Sequence, residues 1–299
     1  MDSRTEAADP SGSAAEPEPP DAAIPAAASR DAAIQTHPHP HGTVERPPLL
    51  RELVYVVGLF AVYKAGRLLA TGRTDEAFAD AHRLWGWERF LRLPDEGAVQ
   101  GALLHSDALA HLANTYYATV HFPATAAFLV WLYLRRPAHY VWARRVLTLV
   151  TAAALVGHLT FPLAPPRLLA EAGLVDTGQM YGPTVYGADP AADAMANQFA
   201  AMPSLHFGWA LMVAIGLMAT TRSRLRALWL LHPSLTLLVI VGTANHYWLD
   251  AIVATALLCV ALAVVHPPHR TATTARRHRE PDLAGRPVRD LPGLVGAGR

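Results

Sequence analysis

Six apolar runs divide the middle of the chain, each approaching the length needed to cross a bilayer as a helix: Leu49–Leu69, Leu112–Leu134, Val146–Leu163, Leu205–Thr221, Leu225–Thr243 and Trp248–Val265. The fifth has 19 residues and one charge, Arg226 near its start. As a helix rising 1.5 Å per residue it reaches about 28 Å, close to the hydrocarbon thickness of a membrane. The pattern predicts an all-α fold: a polytopic membrane helical bundle of about six transmembrane helices. The first run is the weakest, because Lys64 and Arg67 fall within it and must snorkel or mark its end. After it, Trp85, Trp87, Phe90, Leu91 and Leu93 alternate with Arg83, Glu88, Arg89 and Arg92, which predicts an amphipathic helix lying in the interface.

The two ends read differently. Residues 1–48 are Ala, Pro, Glu, Asp and Ser with nine prolines and almost no large apolar side chain. Such a segment buries too little surface to offset the entropy of ordering, and a disordered tail is expected. The alternating His37, His39 and His41 belong to this low-complexity tail rather than to a metal site. No basic start, apolar stretch and small-residue cleavage site opens the chain, so the first membrane helix is expected to direct insertion. Residues 267–299 carry Arg270, Arg276, Arg277, Arg279, Arg286, Arg289 and Arg299, a basic disordered tail suited to anionic headgroups. The expected organisation is therefore a tail over 1–48, a membrane domain over 49–266 and a second tail over 267–299.

Composition supports the membrane reading: 52% of the 299 residues are hydrophobic and 16% charged, against roughly 25% charged in soluble domains. A net charge of +1 gives no footprint for nucleic acid. The single cysteine, Cys259, excludes an intrachain disulfide and lies in an apolar run, expected to be inert. Arg135, Arg136, Arg144 and Arg145 flank the link between the second and third runs, and Arg222, Arg224 and Arg226 that between the fourth and fifth. With the basic tail they put both termini in the cytoplasm. Arg73, Arg83, Arg89 and Arg92, in the segment after the first run, oppose that assignment, but the segment is long and also acidic. The short links decide.

This topology sends three polar clusters to one extracytoplasmic interface: Phe161 to Arg167, Met202 to His206, and Asn245 to Asp250. His246 and Asp250 are four apart, so on a helix they share a face. The carboxylate would fix one imidazole tautomer and leave the other nitrogen free to act as base or nucleophile. Pro203-Ser204 precedes a helix start, where free N–H groups, the dipole and the Ser204 hydroxyl favour an anion such as phosphate. His206 is placed to donate a proton to a leaving oxygen. Arg167 offers a fork that fits phosphate. The set suits phosphoryl transfer.

These residues resemble the type-2 phosphatidic acid phosphatase superfamily, and within it the branch of inositol phosphorylceramide synthases and related inositolphosphotransferases. The superfamily patterns are Lys-x6-Arg-Pro, Pro-Ser-Gly-His and Ser-Arg-x5-His-x3-Asp. The chain matches the second as Pro203-Ser204-Leu205-His206 and the end of the third as His246-x3-Asp250. The branch resemblance rests on Ala164-Pro165-Pro166-Arg167, His206-Phe207-Gly208-Trp209 and Asn245-His246-Tyr247, and extends loosely over Leu49 to Val265. It implies that His246 attacks phosphorus to form a phosphohistidine, that Asp250 orients it, that His206 protonates the leaving alcohol, and that Arg167 with Ser204 holds the phosphate oxygens. The substrate would be a lipid-linked phosphate, the acceptor water or an alcohol such as inositol, with no metal or other cofactor. The two histidines need opposite protonation, so a bell-shaped pH profile of kcat/KM is expected.

The chain departs from the pattern where two cations should be: Thr160 stands in place of Lys, Ile240 in place of Arg, and Leu168 follows Arg167 instead of Pro. Arg89, Arg92, His121 and His158 are candidate substitutes, each read first as an anchor or packed polar residue. The long stretch Leu168 to Ala201 suggests a lid or acceptor site, with Met180, Tyr181 and Tyr186 as contacts or simple packing. Two other functions compete. One is a lipid phosphate phosphatase using water, and the other a proton-coupled small transporter in which His206, His246 and Asp250 relay protons. The transporter predicts repeated halves and midplane charges, and the sequence shows neither.

Overall fold

The computed structural model describes residues 46–69, 72–186 and 198–268. All but the innermost residues of both expected tails lie outside these. Among the described residues ten α-helices follow one another: α1 (Leu49–Leu69), α2 (Thr74–Phe90), α3 (Glu96–Leu103), α4 (Asp107–Thr119), α5 (His121–Arg135), α6 (Pro137–Thr160), α7 (Thr177–Tyr181), α8 (Leu205–Thr220), α9 (Leu231–Gly242) and α10 (Trp248–Val264). Among the described residues there is no β-strand, as the apolar runs predict for an all-α bundle.

Every run is helical, with breaks and edges set by local chemistry. The third run extends back to Pro137, whose fixed φ and missing N–H suit a first helical turn. The second breaks at Val120 into α4 and α5, bent by 46°. The fifth begins as a 3-10 helix over Arg224–Leu230, capped by the Ser223 hydroxyl accepting from Leu225 N–H, before it relaxes into α9. By length and composition two helical segments can cross a membrane alone, Pro137–Thr160 and Arg224–Gly242, and the bent α4–α5 pair makes a third. The shorter apolar α8 and α10 have 16 and 17 residues, and α1 carries Arg51, Glu52, Lys64 and Arg67. Exposed Leu53, Val57, Phe60, Leu235, Leu238, Ile252 and Val260 give the bundle an apolar outer surface, as a membrane protein requires. Cys259 is exposed on that surface.

α6 is the central strut, packed against α1, α5, α8 and α10. Its Ala143, Val146, Leu147 and Val150 interlock with Phe128 and Leu132 of α5, Met212 and Val213 of α8, and Leu258 and Ala261 of α10. Helices approach closely where a side chain is missing. A Cβ on Gly216 would lie 2.3 Å from the Phe128 ring, and one on Gly157 2.9 Å from the Pro203 ring. The second of these contacts seats the loop before α8 against the end of α6.

The segment between α1 and α4 corrects one expectation. α2 is amphipathic, with Trp87, Phe90 and Leu91 exposed, but Glu88, read as part of its polar face, is fully buried. It is turned inward with Ala77, Asp80, Ala81 and Leu84. α2 therefore supports the loops that carry the polar clusters: Ala164 N–H donates to Ala77 O at 3.1 Å, and Leu249 N–H to Glu88 Oε1 at 2.8 Å. Three arginines that opposed the topology are locally neutralised, Arg73 by Glu76, Arg83 by Asp80 and Arg89 by Glu96.

Candidate active site

All three clusters meet at one end of the bundle, where α6 ends and α8 and α10 begin. The backbone knits them together. Leu163 N–H donates to Phe199 O at 2.8 Å, Arg167 N–H to Ala244 O at 3.0 Å and Ser204 N–H to Asp250 O at 3.2 Å. Ala244 stands at φ 53°, a left-handed conformation that costs an alanine about 1 kcal/mol. That turn lets Asn245 and His246 N–H both donate to Ile240 O, closing the end of α9 and presenting the two side chains to the site.

His246 Nδ1–H is shared between Asp250 Oδ2 at 3.1 Å and Ala201 O at 2.9 Å. Both partners are acceptors, so Nδ1 carries a proton, and it is on Nε2 that the neutral ring has its lone pair. Asp250 is itself fixed, since its Oδ2 also accepts Tyr247 N–H at 2.9 Å across the first turn of α10. The His206 ring lies 5.8 Å from the His246 ring, centroid to centroid. It stacks on Tyr117 at 4.4 Å and meets His121 at 4.4 Å. The α4–α5 break puts those two rings there, one from each side of Val120.

Arg167 is buried, and three partners hold its guanidinium: Nε donates to Asp176 Oδ2 and Nη1 to Asn245 Oδ1, both at 3.0 Å, and Nη2 to Gln198 Oε1. The Tyr186 ring covers it at 4.5 Å. Ser204 is fully buried and caps α8, its Oγ accepting from Phe207 N–H at 3.4 Å. The hydroxyl therefore serves the helix start rather than standing open.

One cavity of about 480 Å³ joins His206, His246 and Arg167. Its polar end holds His121, His158, Arg167, Gln198, His206, Asn245 and His246. The rest is apolar and runs between α1 and α5 along α6, lined by Leu59, Phe60, Phe122, Leu129 and Leu147. From His158 to Arg144, the α6 residues lining its two ends, the helix rises about 21 Å. At the far end Arg144 pairs with Glu52, and Tyr55 and Thr148 share a hydrogen bond of 2.9 Å.

Of the four candidate substitutes for the missing cations, His121 and His158 line the cavity, and His158 Nε2 bonds Pro203 O at 3.3 Å. Arg89 is paired with Glu96, and Arg92 lies on the exposed turn after α2. In the long loop, Tyr186 lines the cavity, Met180 is exposed and the Tyr181 carbonyl accepts from His111 at 3.0 Å. Residues 187–197 of the suggested lid lie outside the described residues. Sequence reasoning missed Asp176, Gln198 and Tyr117, and assigned Asn245 no role. Only Asp176 carried a local signal, an Asp-x-x-Gln start to α7 in which its Oδ1 accepts Gln179 N–H at 3.0 Å. No group of three or more His, Cys, Asp or Glu suited to a metal ion occurs among the described residues.

A family model described as the PAP2 superfamily matches residues 82–264, more than half of the chain, from within α2 to the end of α10. No curated protein and no solved structure matches it.

Proposed function

The chain belongs to the PAP2 superfamily, and from that premise we propose that it transfers phosphoryl groups from a lipid-linked phosphate through a phosphohistidine on His246. Membership makes it a membrane enzyme of the phosphatase and phosphotransferase class. The observation that carries the finer reading is the state of His246: its Nδ1 proton is held by Asp250 and Ala201 O, which gives Nε2 a lone pair in a cavity shared with His206. An oriented imidazole beside a second histidine is the arrangement a nucleophile and its acid require.

In the proposed cycle Nε2 of His246 bonds to phosphorus as the bond to the leaving oxygen breaks. His206 gives that oxygen a proton, while Arg167 and the end of α8 face the phosphate oxygens. Asp250 stabilises the imidazolium that forms. An acceptor hydroxyl then attacks, returns its proton to His206 and releases His246. The apolar reach of the cavity suits a hydrocarbon chain, with the phosphate at the histidines. Alcohol acceptors, inositol among them, fit the branch that His206-Phe207-Gly208-Trp209 resembles, and the site is read as extracytoplasmic from the arginine distribution. Water as acceptor would make the same machinery a phosphatase.

The test uses purified protein in lipid, with radiolabelled phosphatidylinositol or phosphatidic acid, with and without alcohol acceptors, wild type beside His246→Ala. Phosphate release or headgroup transfer, lost in the variant, is expected. Turnover that survives in both His246→Ala and His206→Ala would refute the assignment.

A further inference from the structure

The cavity leaves the histidines as a slot between α1 and α5, with α6 as its back wall. Tyr55 to Tyr63 of α1, His121 to Leu129 of α5 and Arg144 to His158 of α6 line it at helical spacing. The threonines among them turn their polarity inward: the hydroxyls of Thr125, Thr148 and Thr151 each donate to the carbonyl four residues back, at 3.0, 2.8 and 2.7 Å. The slot is therefore suited to hydrocarbon. Its α1 wall stands before residue 82, outside the residues that the family model matches.

The slot has a built floor. Thr148 gives its proton to Arg144 O, so the hydrogen bond of 2.9 Å between Tyr55 and Thr148 is donated by the Tyr55 hydroxyl. The Arg144 guanidinium covers the Tyr55 ring at 4.6 Å and pairs with the buried Glu52, which also accepts from the Tyr140 hydroxyl at 2.7 Å. Arg144 stands about 10 Å inside α6, where an ion pair is costly unless the fold or a ligand uses it. Here it ties α1 to α6 across the end of the slot. A chain pushed past it would separate two charges in hydrocarbon.

Length and section are both limited. From His158 to Arg144 the slot runs about 21 Å, and an extended chain advances about 1.2 Å per bond, so roughly 17 bonds fit. A volume of about 480 Å³ spread over that length leaves a mean section of roughly 23 Å². A chain that keeps its neighbours at about 4–4.5 Å fills most of this, so one chain fits and two do not. The substrate arrives from a bilayer whose tails are as apolar as leucine, so each methylene moved into the slot gains little. Only the length that meets the floor is penalised.

We propose that the floor formed by Tyr55, Thr148 and the Glu52–Arg144 pair measures the substrate's hydrocarbon, admitting one straight chain of up to about 17 carbons and rejecting longer ones. This rests on the reading of the histidine end as the phosphate site. In a diacyl lipid the second chain stays in the bilayer.

The experiment uses the full chain in mixed micelles with lysophosphatidic acid and lysophosphatidylinositol, at fixed surface fraction, in a series of saturated chains. kcat/KM is expected to be level up to about 16 carbons and to fall about tenfold by about 20, the scale of an overpacked core. Tyr55→Ala takes the ring out of the floor and should carry the fall about four carbons further, whereas Tyr55→Phe keeps the ring and should leave it in place. Leu129→Trp fills the slot about 12 Å along α5 from His121 and should bring the fall to about ten carbons. A wild-type profile without a fall, or a Tyr55→Ala effect that scales every length alike, would overturn the proposal. A second arm needs no turnover: lysophosphatidic acid of about 16 carbons with a photoreactive diazirine on its last carbon is bound to His246→Ala protein. It should label residues 52–59 of α1 and 144–148 of α6, in competition with unlabelled lipid. Competable label confined to other residues overturns the floor. Label at the floor, with turnover indifferent to His246→Ala, supports the floor and overturns the phosphohistidine reading instead.

Discussion

Glu88 offers a test of how the site is supported. It is fully buried at the end of α2, where one oxygen accepts Leu249 N–H at 2.8 Å and the carboxyl group faces that of Glu96, also fully buried and ion-paired with Arg89. Burial, and next the hydrogen bond with Glu96, push Glu88 up to about 9 from the ordinary 4.5. The folded protein therefore binds a proton here that the unfolded chain releases between those two values. Its contribution to stability is fully present below pH 4.5 and is lost as pH rises toward 9. One proton corresponds to about 1.4 kcal/mol per pH unit within the window. For a domain of this size that is roughly 3–5 °C in midpoint per unit. Glu88→Gln keeps the acceptor for Leu249 and a donor for Glu96 without the titration. The assay is thermal unfolding in detergent from pH 6 to 8, wild type against Glu88→Gln, so that other titrating groups cancel. The variant should gain on wild type by roughly 5–10 °C across that range. A difference between the two that does not change with pH would refute the shared-proton account.

Other outcomes follow from the same contacts. His246→Ala and His206→Ala should each abolish turnover while leaving the unfolding midpoint within a few degrees of wild type, read by the radiolabel assay and a thermal scan. Asp250→Asn should lower kcat on the order of a thousandfold or more by favouring the wrong tautomer of His246, with KM little changed. Gly216→Ala forces the Phe128 ring away from α8 and should cost about 1–3 kcal/mol, measured by denaturation in mixed micelles. Leu132→Ala, at a fully buried position of the α5–α6 core, should cost about 2–5 kcal/mol by the same measurement.

The bundle was legible because membrane length and apolarity leave little choice: a run that must bury every backbone group becomes a helix. Where the sequence misled, a single side chain decided. Glu88 looked like one tooth of a polar face, because spacing alone cannot tell a solvated carboxylate from one buried against Glu96 and the Leu249 N–H. The His246–Asp250 pair was readable since its geometry is local, but not for the helix face that the spacing suggested: His246 stands before Tyr247, the N-cap of α10, and Asp250 in the first turn reaches back to it. The break at Val120 was not, and with it went the placing of Tyr117 and His121 against His206.

Arg167 shows why the remainder stayed hidden. Its partners stand 9, 31 and 78 residues away, on segments that meet only after α6, α8 and α9 have packed. Two of the three, Gln198 and Asn245, are amides, which carry no charge pattern for a sequence to display. The third, Asp176, is conspicuous locally as a helix cap, and that role conceals its second one. Both follow from one carboxylate: Oδ1 accepts from the helix it starts, and Oδ2 faces the guanidinium. A residue that caps a helix with one oxygen and pairs with Arg167 through the other can be separated into its two roles only by a change that preserves one of them. Asp176→Asn keeps the cap and removes the charge, whereas Asp176→Ala removes both and should lower activity on every substrate together.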